Sequence, residues 1–266
     1  MKKVFLTGAS SGIGLAIAKL LAAQEYEVWG TSRSVERLPR LPRLHPVQLD
    51  LSVRYSIDEA FTTALADAGQ FDVLINNAGA GHFGPAELLP IESIAKQFQV
   101  LFFGQIQLMQ LALRHMLPRG EGLIINVTSL ASRLPVPFMA AYNASKAALA
   151  AFTMSIQLEL PGSRVHIVDL QPGDISTEFN QSVTQTTKTD RYDSKIAKTW
   201  ERVEHNMKEA PEPDLVARHV LKVINAVRPP PRITVGDVFE TKIAPTIFRF
   251  LPQRVRIWGL KTYYGI

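Results

Sequence analysis

The sequence predicts an α/β fold: a doubly wound parallel β-sheet with helices on both faces. Three observations carry this. Short β-rich runs alternate with longer helical ones along most of the 266 residues. Runs such as LIINV (123–127) are apolar without polar alternation, as strands buried on both faces are. A glycine-rich turn, TGASSGIG (7–14), joins the first strand-like run to the first helix-like one. Parallel strands need a crossover, normally a helix, and alternating strands and helices supply it.

Lys3–Thr7 (KVFLT) reads as the first strand and Gly12–Gln24 as the first helix. Glu27–Thr31 and His45–Leu49 read as the second and third strands. Ile57–Ala68 follows as a helix and Asp72–Ile75 (DVLI) as the fourth strand. A long helix is expected over Ile91–Met116, with Ile94, Phe98, Leu101 and Ile106 on a rough apolar stripe. Leu123–Val127 is the fifth strand, Ala140–Leu160 an alanine-rich helix, Val165–Leu170 the sixth strand and Ile233–Val235 a seventh. Residues 1–240 are expected to form one domain. The polar stretch Asn180–Pro213 lies after the sixth strand, where an open α/β sheet places its ligand crevice, and reads as an irregular lid. Residues 241–266 read as a C-terminal extension.

Composition excludes several classes. There is no cysteine, so disulfides and thiolate metal sites are impossible, which fits a reducing, cytoplasmic setting. MKKVFLTG has only a three-residue apolar run before Thr7 and reads as a strand, not a secretory leader. No apolar run is long enough to span a bilayer. Net charge is +5 without a basic cluster beside interleaved aromatics, which argues against nucleic acid as a partner. No histidine or carboxylate set at ligand spacing points to a metal.

The glycine loop suits a dinucleotide. Its spacing is G-x-x-x-G-x-G, with Gly8, Ser10, Ser11, Gly12, Ile13 and Gly14 as the expected cradle. Glycines let backbone approach a diphosphate, and a helix N-terminus offers free N–H groups and the positive dipole end. A dinucleotide lacking the 2′-phosphate is usually met by an acid at the tip of the second strand. Here that tip is Thr31-Ser32-Arg33-Ser34. Arg33 can fork onto a 2′-phosphate, so NADP(H) is preferred over NAD(H).

Tyr142 and Lys146 are four apart on the alanine-rich helix and so share a face. Hydride transfer to a carbonyl leaves an oxygen that needs a proton. A phenol titrates near 10, too high for ready exchange at neutral pH, and an adjacent ammonium favours the phenolate. Lowering it by ~2 to 3 units takes about 3 to 4 kcal/mol, which a nearby ammonium and an oxidised nicotinamide together could supply in a partly desolvated site. Ser129 ends the fifth strand thirteen positions earlier and can hold the substrate oxygen.

TGASSGIG (7–14), NNAG (76–79), Ser129, YNASK (142–146) and PGDIST (172–177) stand in the order and spacing of the short-chain dehydrogenase/reductase family, which the chain resembles over about residues 1–235. The resemblance implies a Rossmann-type domain, a nicotinamide cofactor and interconversion of a carbonyl and an alcohol. It implies Tyr142 as acid/base, Ser129 as carbonyl-holding hydroxyl, and Lys146 as holder of the nicotinamide ribose and modulator of Tyr142. Asp50 and Leu51, in QLDL, match the adenine contact. Asn77 matches a support for the sheet, with Ala78 and Gly79 beside the adenosine. Pro172 and Gly173, then Ile175 and Thr177, match the nicotinamide contacts. There are two departures. Leu101 stands where the family carries asparagine, and Ser10 and Ser11 stand where many NADP-linked members carry a basic residue.

Phe83, Phe138, Met139 and Phe179 are expected to wall a pocket for an apolar or bulky carbonyl compound, steroid-, retinoid- or acyl-like. Trp200 is expected to pack the lid, and His82 to be a satisfied loop residue. The last twenty residues mix apolar side chains with cations. They are expected to fold over the substrate mouth or a subunit interface, with weak membrane contact as the other reading, because Pro252 and Gly259 interrupt a continuous amphipathic helix. A homodimer or homotetramer follows from the resemblance. An NADP(H)-dependent carbonyl reductase is the leading expectation. A non-enzymatic redox-sensing NADP(H) binder is the alternative. The glycine spacing and the small C-terminal part disfavour a sugar-nucleotide epimerase or dehydratase.

Overall fold

The computed structural model describes residues 1–160, 162–186 and 191–266. In chain order the first half runs β1 (Lys3–Leu6), α1 (Gly12–Ala23), β2 (Glu27–Ser32), β3 (Leu44–Gln48), α2 (Arg54–Ala68), β4 (Val73–Asn76), β5 (His82–Phe83), α3 (Ile91–Phe98) and α4 (Gly104–Arg119). The second half runs β6 (Glu121–Val127), α5 (Ala140–Glu159), β7 (Arg164–Pro172), β8 (Thr184–Gln185), α6 (Asp193–Glu209), α7 (Pro213–Asn225), β9 (Arg232–Val235), α8 (Ala244–Phe250) and α9 (Gln253–Tyr264).

Among the described residues, seven strands form one parallel sheet in the order β3-β2-β1-β4-β6-β7-β9. Registers such as Val4↔Val28, Val4↔Val73 and Ile75↔Ile125 set neighbouring apolar side chains in rows. Alternate residues feed opposite faces. Val4, Leu6, Ile75 and Ile125 pack under α1 and α7, while Phe5, Leu74 and Ile124 pack under α2 and α4. On the second face Phe5, Phe61 and Phe71 meet edge-on or tilted, with centroids 5.3–5.6 Å apart. This double burial explains the lack of polar alternation in the strands.

The strand order turns outward in both directions from β1 and β4. An open sheet leaves a crevice at that switch, outside the carboxyl ends of the strands. The glycine loop stands there. Thr7 Oγ1 accepts from the amides of Asn77 (2.9 Å) and Ala78 (3.0 Å), and Asn77 Nδ2 donates to the Thr7 and Gly8 carbonyls (3.0 and 3.3 Å). Gly8 has φ +72°, and a Cβ there would stand 2.9 Å from Ala78 Cα.

Several elements differ from the sequence expectation, among them α7, which was not expected. The long helix is interrupted by a π-type turn at Gln99–Phe103. Gly104 follows it, where a Cβ would lie 2.8 Å from the Leu51 carbonyl, so the helix approaches that loop closely. Residues 187–190 of the expected lid lie outside the described residues; of the rest, Asp193–Glu209 is not irregular but a seventeen-residue helix. Its Ile196, Trp200, Val203 and Met207 follow helical spacing within a polar composition. Gly259 lies inside α9 and does not break it, whereas Pro252 caps its start.

A methyl group at Gly14 would stand 2.0 Å from the Gly8 carbonyl oxygen and 2.5 Å from Asn77 Nδ2. Gly14→Ala is therefore expected to lower stability by about 3 kcal/mol, measured as a lower denaturant midpoint.

Candidate active site

A cleft of about 1910 Å³ runs across the carboxyl ends of the strands. Gly8, Ser10, Ser11, Gly12 and Ile13 line one end. Ser11 caps α1 without a side-chain bond, and no acid stands in the first turn, so the free N–H groups and the positive helix end meet the cleft. Gly14 does not line it. It is buried against Gly8 and Asn77 and lets α1 start this close to the loop. This open, uncharged helix start and the glycine cradle that a Cβ would fill suit an anionic diphosphate.

Beyond the loop the cleft reaches Arg33, Asp50 and Leu51. Arg33 is exposed and unencumbered by any acid at the strand tip. Burial alone would raise the Asp50 pKa, but hydrogen bonds from Ser52 and the charges of Arg33 and Lys96 hold it below its usual value. Arg37 lines the same end, a second cation that sequence reasoning missed. It comes within reach only because Val35–Arg37 forms a 3₁₀ turn. Asn77, Ala78 and Gly79 form the wall below. Gln97 and Gln105, four residues either side of Leu101, donate to the Ala80 and Ala78 carbonyls (3.3 and 2.9 Å). Leu101 itself is fully buried in the π-type turn.

At the centre stand Ser129, Tyr142 and Lys146. Ser129 leaves β6 in extended conformation, and its Oγ accepts from the Ala131 amide (3.0 Å), which leaves its own proton free to donate. α5 forms because alanine dominates it, and its internal hydroxyls are satisfied within the helix: Ser145 and Thr153 donate to the Ala141 and Leu149 carbonyls. Asn143 clamps the loop before it. Its Nδ2 donates to the Val136 carbonyl (2.8 Å), and its Oδ1 accepts from the Val136 amide (3.4 Å). Lys146 is buried, and its Nζ donates to the Val127 carbonyl at 2.7 Å and lies 6.0 Å from the Tyr142 ring centre.

The electrostatics differ from the expectation. Burial pulls Lys146 down to about 8, opposed by Asp169. Burial pushes the Tyr142 phenol up. A hydrogen bond with Ser129 opposes the rise, and Asp174 adds to it. In the chain without cofactor the phenol therefore rises, because desolvation outweighs the Ser129 hydrogen bond. Asp169 is itself buried and accepts from Thr128, Gln171 and Arg232, which ties the ends of β6, β7 and β9 together.

Pro172, Gly173, Ile175 and Thr177 border the centre, as do Met139 and Phe179. Phe83 and Phe138 do not wall the cleft. Phe83 is fully buried, with Phe138 and Trp200 at 5.8 and 4.8 Å between ring centres, so these rings anchor α6 instead. Trp200 packs the lid as expected. His82 lines the cleft but is satisfied by Thr186 at 2.9 Å. Among the described residues no group of histidines and carboxylates is arranged to hold a metal.

The family model for short chain dehydrogenases matches residues 2–188. The chain belongs to this family. It is similar to 3-ketodihydrosphingosine reductase of Bacteroides thetaiotaomicron, with 28% identity over 99% of this chain and 98% of that one. It is 38% identical to the NADPH-dependent 1-acyldihydroxyacetone phosphate reductase of Schizosaccharomyces pombe over 67% of this chain and 61% of that one. A short-chain dehydrogenase from Streptomyces avermitilis superposes with TM-score 0.83 at 26% identity, covering 97% and 96% of the two chains. The protein is thus an oxidoreductase of the short-chain type, built to bind a nicotinamide cofactor.

The far end of the cleft holds Asp174, from PGDIST, and three groups that no motif marked: Asn206, Glu240 and Tyr263. Asn206 Nδ2 donates to Asp174 Oδ2 (3.0 Å) and lies 2.8 Å from the Tyr263 hydroxyl, linking α6 to α9. Burial, with Asp174 and Asp237 nearby, pushes Glu240 from 4.5 up to about 7. A carboxyl with a raised folded pKa binds its proton more tightly in the native state. Stability is therefore lost as pH rises from about 4.5 to about 7. In Glu240→Gln the melting temperature should fall less across that window than in the wild type, matching it at the acid end and exceeding it above, as followed by circular dichroism.

Proposed function

We propose that the protein is an NADP(H)-dependent reductase of a carbonyl compound carrying a long or bulky apolar group, reversible as an alcohol dehydrogenase. The observation that carries this is the meeting of Ser129, Tyr142 and Lys146 at the centre of one cleft, with the glycine loop and Arg33 at one end and apolar walls at the other.

The α1 N-terminus and the loop residues Gly8 to Ile13 would hold the diphosphate. Arg33 and Arg37 would meet the 2′-phosphate, with Asp50, Leu51, Ala78 and Gly79 around the adenosine and Lys146, Pro172, Gly173, Ile175 and Thr177 around the nicotinamide half. When bound, the dinucleotide supplies or takes up a hydride. Ser129 donates a hydrogen bond to the carbonyl oxygen. Tyr142 gives that oxygen its proton. A phenol pushed up by burial is protonated at neutral pH, so the resting site presents the acid form that reduction requires. Lys146, near 8, is mostly charged at neutral pH and can orient the ribose and favour return of the proton.

Apolar residues contribute to the substrate end: Met139 and Phe179, with Phe248, Leu251 and Leu260 from the C-terminal segment. This supports the acyl-like substrate class among those expected. The names of two relatives, a 3-ketodihydrosphingosine reductase and an acyldihydroxyacetone phosphate reductase, agree with that choice.

A panel of long-chain ketones and aldehydes, with NADPH and NADH followed by absorbance, tests the reading. Wild-type inertness across the panel, with cofactor still bound, would favour a binding protein instead. Tyr142→Phe is expected to lower turnover at least about a hundredfold while NADPH titration stays near wild type. Arg33→Ala is expected to raise the KM for NADPH about tenfold and leave that for NADH nearly unchanged, since a charge-assisted phosphate contact contributes about 1.5–3 kcal/mol. Equal use of both cofactors by the wild type would refute the NADP(H) preference.

A further inference from the structure

Residues 241–266 contain five cations, Lys242, Arg249, Arg254, Arg256 and Lys261, and no acid. They account for the whole formal net charge of the chain, +5. The structure points four of them at solvent. Arg256 turns inward instead and joins α8 to α9: Nε donates to the Leu251 carbonyl (2.7 Å), Nη2 donates to the Arg249 carbonyl (2.8 Å), and the guanidinium lies 5.4 Å from the Phe248 ring centre.

Large apolar side chains stand among these cations, facing water. Phe250 is 78% exposed and Trp258 67%, with Ile243, Ile247 and Ile257 also exposed. On α9, Arg254, Ile257, Trp258 and Lys261 recur at i, i+3, i+4 and i+7, which is one helix face. Contiguous exposed apolar surface marks a contact site. The position of this patch is informative, because Phe239, Ile247 and Val255 are both exposed and part of the cleft lining. These three residues bring the rim of the cleft to the edge of the patch.

We infer that α8 and α9 seat this protein on an anionic lipid surface, with the cleft mouth against the acyl region, so that an apolar-tailed substrate enters from the membrane. Cations flanking an exposed tryptophan and isoleucine match the headgroup boundary, where basic groups meet anionic lipid and aromatic rings sit at the interface. A second copy of the chain fits less well. A twofold contact through α8 and α9 would face cations with cations, and neither helix carries an acid to pair them. No helix among the described residues is long and apolar enough to cross a membrane, so the contact is with the surface. The inference rests on reading the cleft as one for an apolar-tailed carbonyl.

The test is cosedimentation of the full chain with vesicles of phosphatidylcholine alone or containing phosphatidylserine, at low and high salt. The wild type is expected to pellet with the phosphatidylserine vesicles and to be released by salt. Arg254→Glu with Lys261→Glu is expected to weaken binding at least about tenfold, because each cation near such a surface contributes roughly fivefold. Trp258→Ser should weaken it as well, and an unchanged circular dichroism melt establishes that each variant is folded. Wild type left in the supernatant, or variants that pellet equally well, would overturn the inference. So would a mass halved by the charge reversals in ultracentrifugation, which would assign the patch to self-association. Vesicle binding without turnover of any long-chain carbonyl leaves the docking intact and removes the proposed activity, and turnover without vesicle binding does the reverse.

Discussion

A buried ammonium must be satisfied, and the centre of this molecule is arranged around one. Lys146 has almost no access to water, and its Nζ is held by the Val127 carbonyl. That bond pins α5 onto the end of β6. Ser129 lies two residues beyond Val127, and Tyr142 one helical turn before Lys146, so fixing one contact sets hydroxyl against phenol. Leaving such a charge unpaired in the interior would cost several kcal/mol, which makes the arrangement hard to relax. Asp169, itself held by Thr128, Gln171 and Arg232, adds a compensating negative charge nearby and braces three strand ends.

The cleft has a gradient of chemistry along its length. One end is built from backbone N–H groups and arginines, the middle from hydroxyls and the buried lysine, and the far end from apolar side chains with a small acidic group around Asp174 and Glu240. The two carboxyls stand near each other and are partly buried, which keeps a proton on Glu240 up to about neutral pH. This end is assembled from parts remote in sequence: the turn after β7, the lid helix α6, and the segments around α8 and α9. Asn206 links them by bonding to Asp174 and Tyr263. The C-terminal helices thus complete the substrate end with one face and meet solvent with the other.

Much of this was legible in the residues. The sheet, its parallel pairing and its switch point follow from strand periodicity and the glycine loop. Local spacing sufficed to mark Ser129, Tyr142, Lys146 and Arg33, the resemblance added Asn77, and the fold brings them to one cleft. Other expectations failed for physical reasons. Phe83 and Phe138 looked like pocket walls because large apolar residues on loops often are, but the lid helix covers them and they became its anchor. That helix was missed because a polar composition hid its apolar spacing. Arg37, Gln97 and Glu240 carried no motif, and their roles depend on how the chain folds around them.

The sequence by itself determined the architecture and the chemistry available at the centre, because periodic burial and short glycine or i, i+4 spacings act over a few residues. Tertiary structure alone decided the protonation balance and the shape of the substrate end. Burial pushes the Tyr142 phenol up against the expectation from its lysine neighbour, since desolvation depends on everything packed around a group and not on its spacing. Likewise the cations and aromatic residues of the last 26 positions were visible as a list, but which of them face solvent around the cleft mouth follows only from how α8 and α9 fold back on the domain.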